Sequence, residues 1–329
     1  MAFRISPLWW PVIGLASPLM APMLFKKNRR YKANRLLAER ENKKRIQQAQ
    51  PLELPELDFV ELTVLVEEKC SPGFMGDAAV SYLFRSDKGA LLYDIGFGED
   101  RPALSHNTGR LGFNFQQADA LAISHLHPDH MGGMKASRSK SVQFPPGLGP
   151  TENKPCFLPD TALAEGFKAE VVRNPRLLPG GFATTGPLAR SLFFFGWTEE
   201  QAIVARVRNK GLMVFTGCGH PTIEVILEMA ARLSGEPLYA VGGGLHFPIT
   251  RGRGNRLGIQ FQMLIGTGYP PWRRLNEEDL SRTIGAINKS GPRKVFLSAH
   301  DTCDHALNRL QTELRAETSV LEAGKVYQC

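Results

Sequence analysis

The chain has 329 residues, of which 43% are apolar and 22% charged, as in a globular protein with one large domain or two ordinary ones. Its net charge of +8 arises in residues 26–50, where ten Lys or Arg residues stand against two Glu; because Arg4 adds one positive charge before this segment, residues 51–329 sum to −1. A basic nucleic-acid groove on the main domain is therefore excluded, and no nucleic-acid partner is expected. The five cysteines are widely spaced without a CxxC pair, which excludes a disulfide framework or a zinc ribbon and favours a reducing compartment.

The N-terminal segment 7–25, PLWWPVIGLASPLMAPMLF, is uncharged and approaches the length of a membrane-spanning helix. Positive charge follows this segment instead of preceding it, which disfavours a signal peptide and places the bulk of the chain on the cytoplasmic side. Its four prolines argue against a straight span. A kinked span, a shallow anchor in the bilayer, or an apolar segment packed on the protein or a partner stay open. We predict that residues 1–50 bind membrane lipids.

The next segment, 28–48, contains helix formers throughout and no Gly or Pro. This pattern predicts a basic helix beside the membrane surface or a solvated linker helix. The predicted division of the chain is a hydrophobic anchor over 1–25, a basic helix and linker over 26–56, and a catalytic domain over 57–329.

From residue 57 the sequence consists of runs of apolar and β-branched residues, which predict strands. These runs cover residues 59–67, 79–84, 90–96, 118–125, 191–197, 202–207, 211–217, 238–243 and 294–300. Helical spacing with suitable end signals predicts helices over 221–235 and 276–291. Strands come first in runs and then alternate with helices, which indicates an α+β or layered α/β chain with a large mixed sheet system.

A dense cluster of metal-binding side chains follows the fourth predicted strand as H-x-H-x-D-H: His125, His127, Asp129 and His130. Residues i and i+2 of an extended segment point the same way, so His125 and His127 can share one metal. The turn at Pro128 can aim Asp129 and His130 at a second metal nearby. Imidazole and carboxylate donors suit zinc, iron or manganese.

This motif resembles that of the metallo-β-lactamase superfamily of metallohydrolases, which brings further ligands from later strand ends. Here His220 in FTGCGHP, His246 in GGGLHF and His300 in LSAHDTC each follow a strand-like run. These three motifs are similar to those of one branch of this superfamily, which is related to dihydropterin (methanopterin-precursor) synthases. The resemblance covers residues 57–318 and implies a four-layer αββα sandwich with metals at an edge between two sheets.

The resemblance also implies individual roles. The superfamily's ligands of the first metal match His125, His127 and His220. Its ligands of the second metal match Asp129, His130 and His300. Asp94, in LLYDIG, matches an acid that orients the site without ligating a metal. Two divalent transition metal ions are therefore expected, with zinc first and iron or manganese as alternatives.

The sequence departs from the family pattern at two places. Many members place a bridging Asp between the last two ligand motifs, whereas the only Asp between His220 and His300 is Asp279, at a helix start. His246 stands in that region, so either it replaces the bridge or solvent alone bridges the metals, in which case His246 contacts substrate or orients another ligand. The second departure is HDTC in place of HCTG, which moves the cysteine to Cys303.

Cys218 lies two residues before His220 and is expected to be a buried apolar cysteine, although a position facing the metals stays open. The turn 250–256, TRGRGNR, offers substrate contacts from Asn255 and from Arg251, Arg253 and Arg256, or is a solvated loop.

These features predict hydrolysis by a hydroxide held between two cations, acting on an ester, phosphoester or cyclic amide. Asp129 and His246 are the predicted catalytic residues, with Asp129 in proton transfer. The substrate is expected to be small and anionic, or lipid-like. The alternative is a subunit of a membrane complex, in which the fold serves assembly and the N-terminus binds a membrane protein partner. A nuclease is disfavoured by the near-neutral charge of residues 51–329.

Overall fold

The computed structural model describes residues 4–253 and 255–329, without the side chains of residues 255 and 256. Its α-helices are α1 (Trp10–Gln48), α2 (Ala103–Leu111), α3 (Pro128–Met131), α4 (Met134–Ser139), α5 (Ile223–Leu233), α6 (Glu277–Ser290) and α7 (Asp304–Glu313). Short 3-10 turns cover Pro7–Trp9, Gly98–Asp100, Phe115–Gln117, Pro146–Leu148 and Pro179–Gly181, and Gln262–Gly266 is a π-helix.

The strands that precede the predicted ligand His220 are β1 (Glu56–Leu57), β2 (Val60–Val66), β3 (Ser81–Ser86), β4 (Gly89–Tyr93), β5 (Ala120–Ala122), β6 (Ser141–Val142), β7 (Pro155–Leu158), β8 (Leu163–Ala164), β9 (Lys168–Val171), β10 (Arg176–Leu177), β11 (Ala183–Thr184), β12 (Leu188–Leu192), β13 (Gly196–Glu200), β14 (Ile203–Val207) and β15 (Gly211–Phe215). Those that follow it are β16 (Leu238–Gly243), β17 (Asn255–Arg256), β18 (Ile259–Gln260), β19 (Lys294–Leu297), β20 (Glu317–Val320) and β21 (Val326–Gln328).

Two large mixed sheets form the centre of the described chain. The first has the order β21-β2-β3-β4-β5-β7-β9, and the second has the order β10-β11-β14-β15-β16-β19-β20 with β1 paired to β14. In the first sheet β4, β5, β7 and β9 run parallel, and in the second β15, β16, β19 and β20 do. In both sheets, the loops that follow the carboxyl ends of these parallel strands are therefore the expected place for ligand-binding residues.

Three hydrophobic clusters show how the layers stack. One cluster lies between the sheets and includes Leu62 and Phe84 from the first sheet and Phe215 from the second. Another packs α5, α6 and α7 on the outer face of the second sheet, and the third packs α2 and α4 on the outer face of the first. The order helix–sheet–sheet–helix confirms the predicted αββα sandwich.

The hydrophobic and basic segments of the N-terminus form one helix. α1 runs through Pro18 and Pro22 and crosses the predicted boundary at residue 25 without a break. Its first part is exposed, whereas Tyr31, Ala38 and Ile46 are buried against the domain. The second half of α1 is therefore packed on the fold, unlike a freely solvated linker.

The hairpin β12–β13 corrects one sequence prediction. Residues 191–197, SLFFFGW, were expected to form a strand, but β12 ends at Leu192 and β13 begins at Gly196. Gly196 has a φ of +82°, which glycine adopts without strain and which lets the chain reverse. The intervening residues Phe193–Phe195 form the tip of the hairpin. Their apolar rings contact α1 and the predicted metal ligand His127.

Asn42 joins α1 to this hairpin. Its Nδ2 donates to the carbonyl of Ala189 at 2.8 Å, and its Oδ1 accepts from the amide of Ala189 at 2.7 Å. We expect Asn42→Ala to lower the free energy of unfolding by about 1–3 kcal/mol, because both buried backbone groups lose their partners. Urea unfolding measures the change. Arg40→Ala, an exposed change on the same helix, should stay within about 0.5 kcal/mol of wild type; equal effects of the two substitutions would contradict this role.

Candidate metal centre

The predicted ligands meet at one edge of the sandwich. His125 and His127 follow β5 of the first sheet, and His220, His246 and His300 follow β15, β16 and β19 of the second. Because β15, β16 and β19 run parallel, their carboxyl ends reach the same edge. Both sheets thus contribute imidazoles to one cluster, and His127 and His220 meet there although they are 93 residues apart in the chain.

His125, His127 and His220 form the first group. One donor atom from each lies within 4.8 Å of the others, and His127 Nδ1 is 3.2 Å from His220 Nε2. His125 Nε2 is buried and has no hydrogen-bond partner in the described structure. A buried ring nitrogen without a partner is costly unless it serves as a ligand. The three residues predicted for the first metal therefore come together in an arrangement that fits a cation.

Asp129, His130 and His300 form the second group, and a cysteine joins them. Donor atoms of Asp129, His130, Cys218 and His300 all lie within 4.8 Å of one another. His130 Nε2 and His300 Nε2 lie 3.1 Å and 3.3 Å from Cys218 Sγ. The predicted residues of the second metal are thus brought together as well.

Cys218 faces this cluster instead of packing in one of the three hydrophobic cores. Its sulfur also lies within 4.8 Å of donor atoms of His220 and His246, so it is common to two ligand groups. The loop around it is tight: a Cβ at Gly217 would lie 2.2 Å from Ser124 Oγ, and Gly219 has a φ of +68°. The sequence signal for this position was the two-residue spacing to His220, which left its orientation undecided.

His246 lies beside the cluster with a positive φ of 60°, and its ring is 5.0 Å from that of His220. Both of its ring nitrogens are buried without a hydrogen-bond partner in the described structure. The carboxylate of Asp301 lies 3.5 Å from Nδ1 and also accepts from the backbone amide of His246 at 3.1 Å. Sequence reasoning missed Asp301, which immediately follows a predicted ligand.

Buried carboxylates hold the ligands in place. Asp94 Oδ2 lies 2.7 Å from His130 Nδ1, and the same carboxylate accepts from the amide of Ser124 at 2.6 Å and from its hydroxyl at 2.7 Å. Ser124 Oγ in turn lies 2.9 Å from His125 Nδ1. Asp94 therefore contacts one ligand directly and another through Ser124, and it does not reach the donor atoms of the cluster.

Two further acids support the site, and sequence reasoning missed both. Glu200 accepts hydrogen bonds from the four successive backbone amides of residues 217–220, at 3.1, 3.0, 2.8 and 2.7 Å. Glu67 bonds to Ser298 Oγ, which lies 2.6 Å from His300 Nδ1. Burial raises the pKa of each acid to about 7. Glu67 directly follows β2 and Glu200 ends β13, and neither position belongs to a local pattern that would have revealed these roles.

Burial also sets the protonation of the histidines. It lowers the pKa of His127 and His300 to about 4, and it holds the pKa of His125 and His220 well below the usual range. These imidazoles are therefore neutral at pH 7 and offer lone pairs. His130 differs, because nearby Cys218 and acids outweigh burial and raise its pKa.

The donor chemistry fits divalent transition metals. Neutral imidazoles, a carboxylate and a thiol are the donors of zinc sites, and imidazole also suits iron. Burial raises the pKa of Asp129, but His130 and its neighbours outweigh this and keep the carboxyl ionised at neutral pH. Asp129 therefore offers a carboxylate, and the histidines with lowered pKa offer neutral imidazoles, as ligands for a cation at neutral pH.

A cleft opens beside the cluster and is lined by His220, His246, Arg190, Tyr269 and Arg282, among others. The predicted basic turn contributes differently from expectation. Arg253 donates to the carbonyls of Ala299 and Thr302 and so holds the turn to the domain. Arg251 is exposed, and the side chains of Asn255 and Arg256 lie outside the described residues.

Asp94→Asn tests the orienting role directly, since Asn tolerates the positive φ of 61° at this position. We expect metal affinity to fall about 10- to 100-fold, because His130 loses the carboxylate that fixes its ring. Chelator competition with zinc measures the affinity. The exposed Asp58→Asn should leave it unchanged; an unaltered affinity in Asp94→Asn would refute the role.

Comparisons with known proteins agree with this geometry. Residues 75–142 match the model of the metallo-beta-lactamase superfamily. The chain is 23% identical over 316 residues to a 7,8-dihydropterin-6-methyl-4-(beta-D-ribofuranosyl)-aminobenzene-5'-phosphate synthase of Methanocaldococcus jannaschii, covering 84% of this chain and 98% of that protein. These findings confirm the resemblance inferred from the sequence motifs.

A solved structure gives the same fold. The crystal structure of Tm1679, described as a metal-dependent hydrolase of the beta-lactamase superfamily, matches with a TM-score of 0.58 and 19% identity, over 82% of this chain and 99% of that one. The metallo-beta-lactamase fold protein YhfI from Bacillus subtilis matches with a TM-score of 0.47 and 17% identity, over 83% of this chain and 100% of that one. The first of these similarities establishes the fold.

Proposed function

We propose that this chain, which has the metallo-β-lactamase fold, is a membrane-associated hydrolase that uses two divalent metal ions. The observation that carries the proposal is the pair of donor groups at one sheet edge, His125, His127 and His220 beside Asp129, His130 and His300. Divalent cations held there would supply Lewis-acid activation of water and of the bond to be cleaved. An ester, phosphoester or cyclic amide is the substrate, and zinc is the expected metal, with iron or manganese as alternatives.

Cys218 takes the place of the missing bridging acid in this proposal. Its sulfur is shared by two donor groups, and it lies within 3.3 Å of ring nitrogens from both His130 and His300. A thiolate is a strong ligand for zinc. His246 lies in the part of the chain where the family places its bridging acid. With Cys218 in that role, His246 is free to contact the substrate.

The chain's own residues prepare the reaction. Asp129 is ionised and lies 3.6 Å from His130 Nε2, so it can accept a proton at the cluster. His246 borders both the cluster and the cleft, and the carboxylate of Asp301 lies 3.5 Å from its Nδ1, so we assign its ring the role of contacting the scissile group. Arg190 and Arg282 line the same cleft together with Glu224 and Asp279, and we assign the two guanidinium groups to an anionic group of a small or lipid-like substrate.

Membrane association is supported by the N-terminal helix. An 18-residue window of mean hydropathy 1.5 is entirely unburied in the fold, and basic residues follow it. The positive flank favours the cytoplasmic face.

The activity test uses the full chain, reloaded with zinc, iron or manganese after chelation, on phosphodiester, lactone and thioester panels. We expect hydrolysis in at least one class that vanishes on chelation and returns with metal. A fully loaded protein that hydrolyses none of these classes would contradict the proposal and favour the alternative role as a structural subunit of a membrane complex.

A further inference from the structure

The N-terminal helix α1 is attached to the domain at both ends of its exposed apolar part. At the start, the indole Nε1 of Trp9 donates to the carbonyl of Leu257 at 2.9 Å. At the far end, Lys27 Nζ donates to the carbonyl of Phe194 at 3.1 Å and lies over the Phe194 ring. The two attachments are separated by 18 residues, or about 27 Å of helix.

The segment before the helix is also part of the fold. Ile5 pairs antiparallel with Ile259, the amide of Ser6 donates to the carbonyl of Gly258 at 2.8 Å, and the amide of Gln260 donates to the carbonyl of Arg4 at 2.8 Å. Residues 4–9 therefore lie against the loop that contains β17 and β18. This loop belongs to the catalytic side of the molecule.

The loop cannot reach across a bilayer. Gln262 Nε2 donates to the carbonyl of His300 at 2.9 Å, which fixes the loop close to the candidate metal centre. Leu257 is five residues from Gln262 and so at most about 18 Å away along the chain, whereas the hydrocarbon core of a bilayer is about 30 Å thick. A helix that crossed the membrane would carry residues 4–9 to the opposite side, away from the loop that binds them.

Exposed apolar side chains continue from the helix onto both attachment points. On the helix and its lead-in they are Leu8, Val12, Leu15, Leu19 and Phe25, and on the domain they are Phe195, Leu257, Phe261 and Trp272. One of the domain members reaches the helix through a buried ring: Trp272 contacts Phe193, and Phe193 contacts Tyr31 of α1. Exposed apolar side chains on the helix and on the domain segments to which it is attached mark a binding face.

We propose that these nine residues form one membrane-docking face, on which residues 10–25 lie in the plane of an anionic bilayer surface instead of crossing it. An amphipathic or apolar helix at this depth buries its side chains in the interface, and tryptophans at its start suit that position. The exposed Lys26, Arg29, Arg30 and Lys32 come next on the helix and match anionic headgroups. Charge and apolar surface thus favour a bilayer as the occupant.

The docking face adjoins the candidate metal centre. The ring of Phe195 lies 4.6 Å from that of His127, and the loop carrying Phe261 and Trp272 also carries Gly266, whose Cβ position would be 3.0 Å from His246 Nε2. A bilayer bound to this face therefore lies beside the entrance of the cleft.

Docking is tested by flotation of the full chain with vesicles of phosphatidylglycerol and phosphatidylcholine in equal parts. Leu257 and Leu163 are both exposed leucines, at 84% and 69%, but Leu163 lies outside the docking face. Leu257→Asp should weaken the vesicle partition about tenfold, and Leu163→Asp should leave it unchanged. Failure of wild type to float, or equal partition of both variants, would overturn the bilayer as the occupant and assign the face to a second copy or a protein partner.

Orientation is tested with the pair Ile5→Cys and Ile259→Cys, which places two cysteines directly opposite each other on neighbouring strands. We expect the same disulfide in the vesicle-bound fraction as in detergent, seen as a reducible shift in gel mobility; Ile5→Cys alone should not give it. A disulfide that forms in detergent but not on vesicles would show that the helix crosses the membrane, and it would overturn the in-plane arrangement. Neither readout depends on hydrolysis, so the result stands apart from that of the activity test.

Discussion

His127→Ala is expected to lower metal-dependent hydrolysis by about a thousandfold or more, because it removes a donor that no neighbouring residue replaces in the first group. His127 is only partly buried, so the truncation leaves the cores intact. Its Nδ1 lies 3.2 Å from His220 Nε2. Removing this imidazole leaves two histidines in the first donor group instead of three. Rates on bis-nitrophenyl phosphate, or on whichever panel substrate is active, measure the effect.

The matched control is His106→Ala. His106 is partly buried and bonds to the carbonyl of Gly73 at 3.0 Å, far along the chain from the ligand motifs. It should retain wild-type rates and metal content. A His127→Ala protein that keeps both metals and more than about a tenth of the activity would show that the first group is not the reaction centre.

Cys218→Ala has the second large expected effect, the loss of one of two metal ions and of most hydrolysis. The sulfur is the donor common to two ligand groups, so its removal weakens the second site and the link between the sites. X-ray absorption of the zinc-loaded wild type should show a zinc–sulfur distance of about 2.3 Å, which disappears in the variant. This readout reports ligation independently of turnover.

Cys156→Ala is the control for the loss of a buried cysteine. Cys156 lies in β7, fully buried in the core under the first sheet, and burial alone raises the pKa of its thiol. This variant should keep two metals and the zinc–sulfur signal, with only a stability loss. A wild-type spectrum without a sulfur neighbour would exclude Cys218 as a ligand.

The fold was largely predictable because its strands and helices have regular apolar patterns. The run 59–67 appears as β2, 202–207 as β14, and 276–291 as α6 with its capping box at Asn276. The run 191–197 was misread because composition does not distinguish a buried strand from an apolar hairpin tip. Its three phenylalanines are explained by tertiary contacts: Phe193 contacts Tyr31 and Trp272, Phe194 lies against Lys27, and Phe195 contacts His127.

The site was predictable where spacing encodes geometry and not elsewhere. The pattern from His125 to His130 places its members in one turn, and the later histidines follow parallel strands. The direction of the Cys218 sulfur depends on how the glycine-flanked loop packs against Ser124. Glu67 and Glu200 act on residues far away in sequence, and such long-range pairing leaves no local signal.

Metal analysis of the purified and reloaded full chain tests the central claim most directly. We expect close to two transition-metal ions per chain, together with hydrolytic activity that rises with occupancy. One ion or none in a fully loaded, folded sample would contradict the proposal of a dinuclear hydrolase.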